Sequence, residues 1–138
     1  MDTGPLVALT DQDDAHHEAC REWYADVNPR NLAVPAPVIA EACHIIGTRC
    51  GAAVEAVFLE DLAHGWYGTV TAIMPEELLR ASEYVRRYAN FPLGGTDALV
   101  IAVAERLKTA KVCTVDRRHF TAVRPPHAPA FELYPAKL

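Results

Sequence analysis

Apolar residues along the chain fall into short segments whose spacing alternates between helical and extended. Helical spacing predicts helices over residues 3–9, 37–49, 52–63, 76–88 and 96–107, and one more that is capped by Asp13 or Asp14 and ends near Asp26. Runs rich in β-branched residues predict strands over residues 32–34, 67–73, 111–115 and 131–134. Thr96 is expected to cap the helix that follows a loop over residues 90–95.

Helices that alternate with short strands predict an α/β fold, in which helices flank a central, mostly parallel sheet. Ligands of such sheets bind beyond the carboxyl ends of the strands. The residues of a functional site should therefore follow strands or begin the adjoining helices. The chain has 138 residues, which suffice for one hydrophobic core, and we expect a single domain over residues 1–138.

The composition indicates a globular protein, because 51% of the residues are hydrophobic and 22% are charged. The net charge of −5 argues against non-specific nucleic-acid binding, since phosphate contacts need Lys and Arg. This objection weakens if several acids surround a metal ion that neutralises them locally. The sequence displays no signal peptide and no apolar run of about 20 residues, so we expect a cytoplasmic protein without a membrane segment.

The cysteines are expected to be small hydrophobic residues of the interior in a reducing compartment. None of them forms a C-x-x-C pair, and most lie in apolar or helical segments. A disulfide framework or a zinc site is the less favoured alternative. The four positions are Cys20, Cys43, Cys50 and Cys113.

Most acidic residues are explained by a helix cap, a turn or an exposed helix face, but four are not. Glu41 lies in a helix that is apolar on nearly all sides, so we expect it to be buried, where a lone carboxylate is costly. Asp97 begins another apolar helix, with helix capping as the alternative. Asp116 ends the third predicted strand, with a plain turn as the alternative, and Asp2 precedes a turn near the start. These positions suit a site at the strand ends, and no glycine-rich phosphate-binding motif competes with them.

The ordered set of segments around these acids resembles the PIN-domain family, and in particular the VapC toxins of bacterial toxin–antitoxin modules. The segments span almost the whole chain and are DTGPLVAL at 2–9, AE at 40–41, GTDALVIA at 95–102 and TVDRRHF at 114–120. The resemblance implies a PIN-like three-layer α/β sandwich with a central, mostly parallel sheet flanked by helices. It also implies an endoribonuclease that depends on Mg²⁺ or Mn²⁺, is inhibited by a VapB-type antitoxin and forms a homodimer.

The resemblance further implies roles for individual residues. Asp2 and Asp97 would be direct metal ligands, while Glu41 and Asp116 would complete the catalytic site, partly through metal-bound water. Nearby hydroxyl groups would bond carboxylates or the scissile phosphate, and nearby arginines would bind RNA phosphate. The residues in these supporting roles are Thr96, Thr114, Arg117 and Arg118, with Thr3 a weaker candidate. A solvated turn is the alternative for the two arginines.

The chain departs from the family pattern in three places. Family members usually carry a few apolar residues before the first acid, whereas here only Met1 precedes Asp2. We therefore expect either a start downstream of the native one or an unusually short first strand. Gly4 stands where Ser is frequent, and we treat it as a tolerated variant. An extra acid often follows the fourth one, but here that stretch holds Arg117-Arg118-His119.

Other functions fit parts of the sequence. A catalytically weak PIN-like module would bind RNA or protein without cleaving RNA, and metal titration beside a cleavage assay separates it from the nuclease. Glu41-x-x-His44 resembles half of a di-iron carboxylate motif, but such sites need a helical bundle, and the predicted strands argue against one. A receiver domain would need paired acids after the first strand and a late Lys, and these positions are not filled in a convincing way.

Overall fold

The chain alternates helices with three-residue strands over residues 1–91 and 93–138, which the computed structural model describes. The helices are α1 (Thr3–Thr10), α2 (His17–Ala25), α3 (Ala36–Cys50), α4 (Ala52–Ala63), α5 (Pro75–Arg87), α6 (Gly95–Arg106) and α7 (Arg117–Ala122). The strands are β1 (Ala33–Pro35), β2 (Thr69–Thr71), β3 (Lys111–Cys113) and β4 (Glu132–Tyr134). None of the helices within the described ranges is long and apolar enough to cross a bilayer.

The strands form two pairs. β1 pairs with β2, with Val34 opposite Val70, and β3 pairs with β4, with Val112 opposite Leu133. Both pairs are parallel, as the alternation of helices and strands predicted.

The first two residues lie between the two strand pairs. The ammonium group of Met1 donates a hydrogen bond to the carbonyl oxygen of Ala33 in β1 at 2.6 Å. The backbone N–H of Asp2 donates to the carbonyl oxygen of Cys113 in β3 at 2.9 Å. These two bonds bring Asp2 to the carboxyl end of β3, where a sheet of this kind places its ligands.

One cluster of buried hydrophobic side chains runs through the fold, from Met1 to Val123. Leu6 of α1 and Ile101 of α6 are fully buried in it, and Phe120 of α7 is almost so. Burial of each such side chain stabilises the fold by roughly 1.5–3 kcal/mol. The core therefore holds together the helices that carry the candidate acids.

The cysteines divide into two groups. Cys20 and Cys113 are buried, as predicted for small hydrophobic residues. Cys43 and Cys50 are only half-buried, because they lie at the margins of the face that α3 packs against the core.

Ionic contacts fix α6, which carries Asp97, against α5. The buried carboxylate of Glu77 in α5 accepts a hydrogen bond from Nε of Arg106 in α6. Nε of Arg80 in α5 donates to Glu105 in α6 at 2.8 Å. Both contacts hold the last turn of α6 against α5.

One helix was not predicted. The sequence predicts a strand over residues 111–115 that ends at Asp116, or a turn there, yet α7 begins directly after Asp116. The side chain of Asp116 accepts a hydrogen bond from the backbone N–H of Arg118 at 3.2 Å. The helix has six residues, of which Phe120 is the buried one, so it is too short to show helical periodicity.

Two predicted helix caps were also wrong. The side chain of Asp14 accepts from the backbone N–H of His16 at 2.9 Å and closes a turn, so α2 begins only at His17. Thr96 lies inside α6, whose N-cap is Gly94. The strands are shorter than predicted, because pairing over β2 and β3 stops at Thr71 and Cys113.

Candidate active site

A cavity of about 540 Å³ lies between the first turns of α1 and α6, the middle of α3 and the segment that follows β3. The four acids singled out in the sequence line it together: Asp2, Glu41, Asp97 and Asp116. Thr3, Thr96 and His119 line it as well. The fold thus brings these carboxylates, which are far apart in sequence, to one cavity at the carboxyl ends of β1 and β3.

Asp2 is the most buried of the four acids, with 6% of the residue exposed. It precedes α1 in an extended conformation, and its Oδ1 accepts from the backbone N–H of Thr3 at 2.8 Å. Its Oδ2 accepts from the hydroxyl of Thr114 at 2.8 Å. Burial raises the pKa of Asp2 to about 6, and the charge of Asp97 adds to this while the two hydrogen bonds oppose it.

Asp97 lies in the first turn of α6 and is half-buried. Its Oδ2 is 2.9 Å from Nδ1 of His119. Burial raises the pKa of Asp97, and the charges of Asp116 and Glu41 raise it further, whereas His119 opposes the shift. Carboxylates that raise each other's pKa indicate an excess of negative charge around the cavity.

Glu41 is exposed, so the prediction of a buried carboxylate was wrong. α3 buries only a narrow stripe of Val38, Ala42 and Ile46, and its apolar composition does not lead to burial on all sides. The hydroxyl of Thr3 donates to Oε2 of Glu41 at 2.9 Å. This bond links α1 to α3 and holds the carboxylate at the cavity.

Asp116 differs from the other acids in having a close cationic partner. Arg118 donates to its carboxylate through Nε at 3.2 Å and Nη2 at 3.0 Å. The hydrogen bond from the Arg118 side chain is the main reason why the pKa of Asp116 lies below its usual value. Asp116 is therefore ionised over a wide pH range, whereas Asp2 and Asp97 hold their protons more tightly.

The predicted supporting residues have different surroundings. Thr114 is fully buried, and its hydroxyl contacts Asp2 and the carbonyl oxygen of Asp116, which favours the carboxylate-bonding role over contact with a phosphate. Arg117 donates through Nη2 to the carbonyl oxygen of Pro135 and so ties α7 to the last strand segment. Arg118 has 78% of its side chain exposed, and Thr96 lines the cavity.

Sequence reasoning missed four ionisable residues that line the same cavity. His119 contacts Asp97, and Asp14, His16 and Arg49 line it too, with Arg49 Nη1 2.9 Å from Asp14 Oδ2. His119 lies in the segment that carries the family resemblance, and its role depends on α7, which the pattern did not predict. Arg49 and Asp14 are far apart in sequence, so only the fold brings them together.

The carboxylate oxygens of the cavity are the ligands that a hard divalent cation such as Mg²⁺ or Mn²⁺ prefers. Burial is the main cause that raises the pKa of Asp2 and Asp97, and neighbouring carboxylates add to it. A divalent ion would offset this negative charge. Within residues 1–91 and 93–138, no three Asp, Glu, His or Cys side chains form a ready coordination group. A cation bound by these oxygens would keep several water ligands, as Mg²⁺ commonly does.

Comparison with known proteins gives concordant matches. The family model described as PIN domain matches residues 1–124. The chain is 32% identical over 135 residues to "Ribonuclease VapC26" of Mycobacterium tuberculosis (strain ATCC 25618 / H37Rv), which covers 98% of each chain. The crystal structure of VapC20 from Mycobacterium tuberculosis, titled a Sarcin-Ricin loop cleaving toxin, superposes with a TM-score of 0.78 at 19% identity, over 86% of this chain and 89% of that one. These matches confirm the resemblance and the fold class predicted from the sequence.

Proposed function

Because the chain belongs to the PIN-domain family and, within it, to the VapC proteins, we propose that it is the toxin of a type II toxin–antitoxin module. Its activity is that of an endoribonuclease, which depends on Mg²⁺ or Mn²⁺ and hydrolyses RNA phosphodiester bonds. A relative that aligns over nearly the full length carries the name ribonuclease, which supports this proposal.

The main support for the proposal is that Asp2 and Asp97 line the same cavity. The two carboxylates are far apart in sequence, and burial raises the pKa of Asp2, with the charge of Asp97 adding to the shift. Such repulsion costs stability unless a cation compensates it, so it is expected at a functional site rather than in a structural pair.

Asp2 and Asp97 would bind the cation directly, and Glu41 and Asp116 would act partly through its water ligands. When bound, Mg²⁺ or Mn²⁺ supplies positive charge beside the scissile phosphate and makes water more acidic. The protein's own part is to orient these groups. Thr3 and Thr114 fix the two oxygens of Asp2, and the hydroxyl of Thr3 holds Glu41, which can accept a proton from the attacking water.

RNA would approach a cavity that is acidic inside and has arginines at its margin. Arg118 is exposed beside Asp116, and we assign it to a phosphate of the RNA. Arg49, on the side of Asp14, gives the cavity a second cationic group. Positive charge at the margin offsets the objection that the net charge of −5 raises against RNA binding.

An antitoxin of the VapB type is the proposed inhibitor. A basic side chain from such a partner would form charge-assisted hydrogen bonds with the carboxylates of the cavity and replace the cation there. Assembly into a homodimer is proposed from family membership alone, and a molar-mass measurement in solution tests it.

The decisive experiment compares wild-type protein with Asp97→Asn. RNA ends are mapped in total RNA after controlled expression, and Mn²⁺ binding is measured by calorimetry. We expect Asp97→Asn to abolish cleavage and weaken Mn²⁺ binding while the protein stays folded. Asp13→Asn is the matched control, because Asp13 is exposed and lies outside the cavity.

Full cleavage by Asp97→Asn would refute the assignment of the site. Wild-type protein that leaves RNA intact would instead support the alternative function, a catalytically weak PIN-like module that binds RNA or protein. The sequence and the fold favour the nuclease, because all four acids of the predicted site line the cavity.

A further inference from the structure

His119 has a defined position in the cavity, beside Asp97. It lies in α7, and its Nδ1 is 2.9 Å from Oδ2 of Asp97 in α6. Its side chain has 17% of its surface exposed and that of Asp97 has 20%, so water competes little for this contact. The other acids of the cavity accept hydrogen bonds from hydroxyl groups, backbone N–H groups or an exposed arginine. Asp97 is the one held by a ring nitrogen.

The imidazole ring is fixed by its neighbours. Phe91 packs against it in a T-shaped arrangement, with ring centroids 5.4 Å apart and planes at 82°. α7 itself is anchored by the buried Phe120 and by the cap that Asp116 provides. A ring that packs against Phe91 and has Nδ1 2.9 Å from the carboxylate of Asp97 has little freedom to rotate.

A carboxylate bonded through one oxygen keeps its other oxygen available in a defined direction. Nδ1 carries hydrogen both in the protonated ring and in the neutral tautomer that suits a carboxylate partner, so a close contact with Oδ2 is favourable in either charge state. Groups that orient metal-binding carboxylates in this way commonly determine how well the ion is bound.

We propose that His119 is a positioning residue of the active site. Its Nδ1 lies 2.9 Å from Oδ2 of Asp97, and this contact orients Oδ1 for a divalent cation. This inference rests on the proposed metal-dependent nuclease function, because it gives His119 a role only if Asp97 binds an ion.

The alternative is that His119 merely joins α7 to α6. A purely structural contact would affect the melting temperature and leave metal affinity unchanged in variants that remain folded. Measurement of Mn²⁺ affinity, by titration followed with electron paramagnetic resonance, separates the two roles without relying on activity.

Three substitutions at this position form the test. His119→Asn places an amide donor near the position of Nδ1, His119→Gln places it near that of Nε2, and His119→Leu removes the donor. His64→Leu is the control, because His64 is exposed at the end of α4 and lies outside the cavity. Each protein is assayed for melting temperature, Mn²⁺ affinity, and kcat and KM on a short RNA.

We expect His119→Leu and His119→Gln to weaken Mn²⁺ binding by about 10–100-fold and to lower kcat at fixed Mn²⁺, with KM for RNA little changed. His119→Asn and His64→Leu should stay close to wild type. His119→Gln keeps a polar side chain, so it serves as the readout if the leucine variant fails to fold.

Equal Mn²⁺ affinity in His119→Asn and His119→Gln would overturn the inference, and so would wild-type affinity in His119→Leu. If these variants match wild-type protein that binds Mn²⁺ and cleaves RNA, only the role of His119 fails. If wild-type protein neither binds Mn²⁺ nor cleaves RNA, the proposed function fails, and the inference falls with it.

Discussion

The hydroxyl of Thr114 donates a hydrogen bond to Oδ2 of Asp2 at 2.8 Å, across 112 residues of sequence. The backbone N–H of Asp2 donates to the carbonyl oxygen of Cys113, the residue before Thr114, at 2.9 Å. Side chain and backbone of Asp2 are therefore both fixed by the end of β3. The position of the first acid is set by a strand near the other end of the chain.

Replacement of Thr114 by Val tests this relationship. Valine keeps the shape of the buried side chain but removes the donor, so the folded state should lose about 1–3 kcal/mol. The bond from Thr114 favours the ionised form of Asp2, so its loss raises the pKa of Asp2 further. Mn²⁺ binding should then require a higher pH, which titrations at several pH values measure.

Thr114→Ser is the matched control, because it keeps the hydroxyl and removes only a methyl group. It should bind Mn²⁺ with the pH dependence of the wild type. A valine variant with an unchanged pH dependence would show that the hydroxyl does not act on Asp2.

The raised pKa of Asp2 predicts how stability depends on pH without metal. Its folded value of about 6 exceeds the ordinary 3.8, so the contribution of Asp2 to stability is fully present below 3.8 and is lost as pH rises through about 6. Asp2→Asn avoids this loss. In a chelating buffer at pH 7.5 the variant should be more stable than wild type by about 3 kcal/mol, because one pKa unit corresponds to about 1.4 kcal/mol.

Urea unfolding of Asp2→Asn and wild type between pH 4.5 and 7.5 measures this difference. The stability gap should shrink as pH falls towards 3.8, because Asp2 is protonated in both the folded and the unfolded states only below that value. Asp13→Asn serves as the control, since Asp13 is exposed. A gap that stays constant or widens at low pH would contradict the assignment of a raised pKa to Asp2. Cleavage by Asp2→Asn is expected to be lost even though the protein is more stable.

The sequence was sufficient for the parts of the site that follow from topology. Asp97 lies at the start of a helix, and Asp116 follows a strand. The carboxyl ends of neighbouring parallel strands meet at one edge of a sheet. That rule needs only the order of elements. The reason given for Glu41 was wrong, because composition does not reveal how wide a face of α3 the core covers.

The contacts between distant residues could not be predicted. Thr114 bonding to Asp2 depends on which strand lies beside the N-terminal segment, and strand order is not visible in hydrophobic spacing. The position of His119 at the cavity depends on α7, whose six residues are too few for a periodic pattern. Local spacing therefore singled out the acids as candidates, while their contacts with Thr114 and His119 are visible only in the fold.

Gly4 illustrates the same limit and leads to a further prediction. It was treated as a tolerated variant, but a Cβ at this position would lie 2.3 Å from Cγ2 of Val115. Val115 thus occupies the space that a larger residue at position 4 needs. Gly4→Ala gains helix propensity of up to about 1 kcal/mol. The overlap costs about 1–3 kcal/mol, so we expect net destabilisation, measured by urea unfolding.

A double-mutant cycle with Val115→Ala identifies the cause. Removal of Cγ2 from residue 115 should relieve the overlap, so the double variant should lose less stability than the sum of the two single variants. Gly95→Ala is the control within a helix, because a Cβ there meets nothing within 4 Å, and it should not be destabilised. Additive losses in the cycle would show that Val115 is not what restricts position 4. Since α1 begins just after Asp2, relief of the overlap should also restore any Mn²⁺ affinity that Gly4→Ala loses through a shift of this helix.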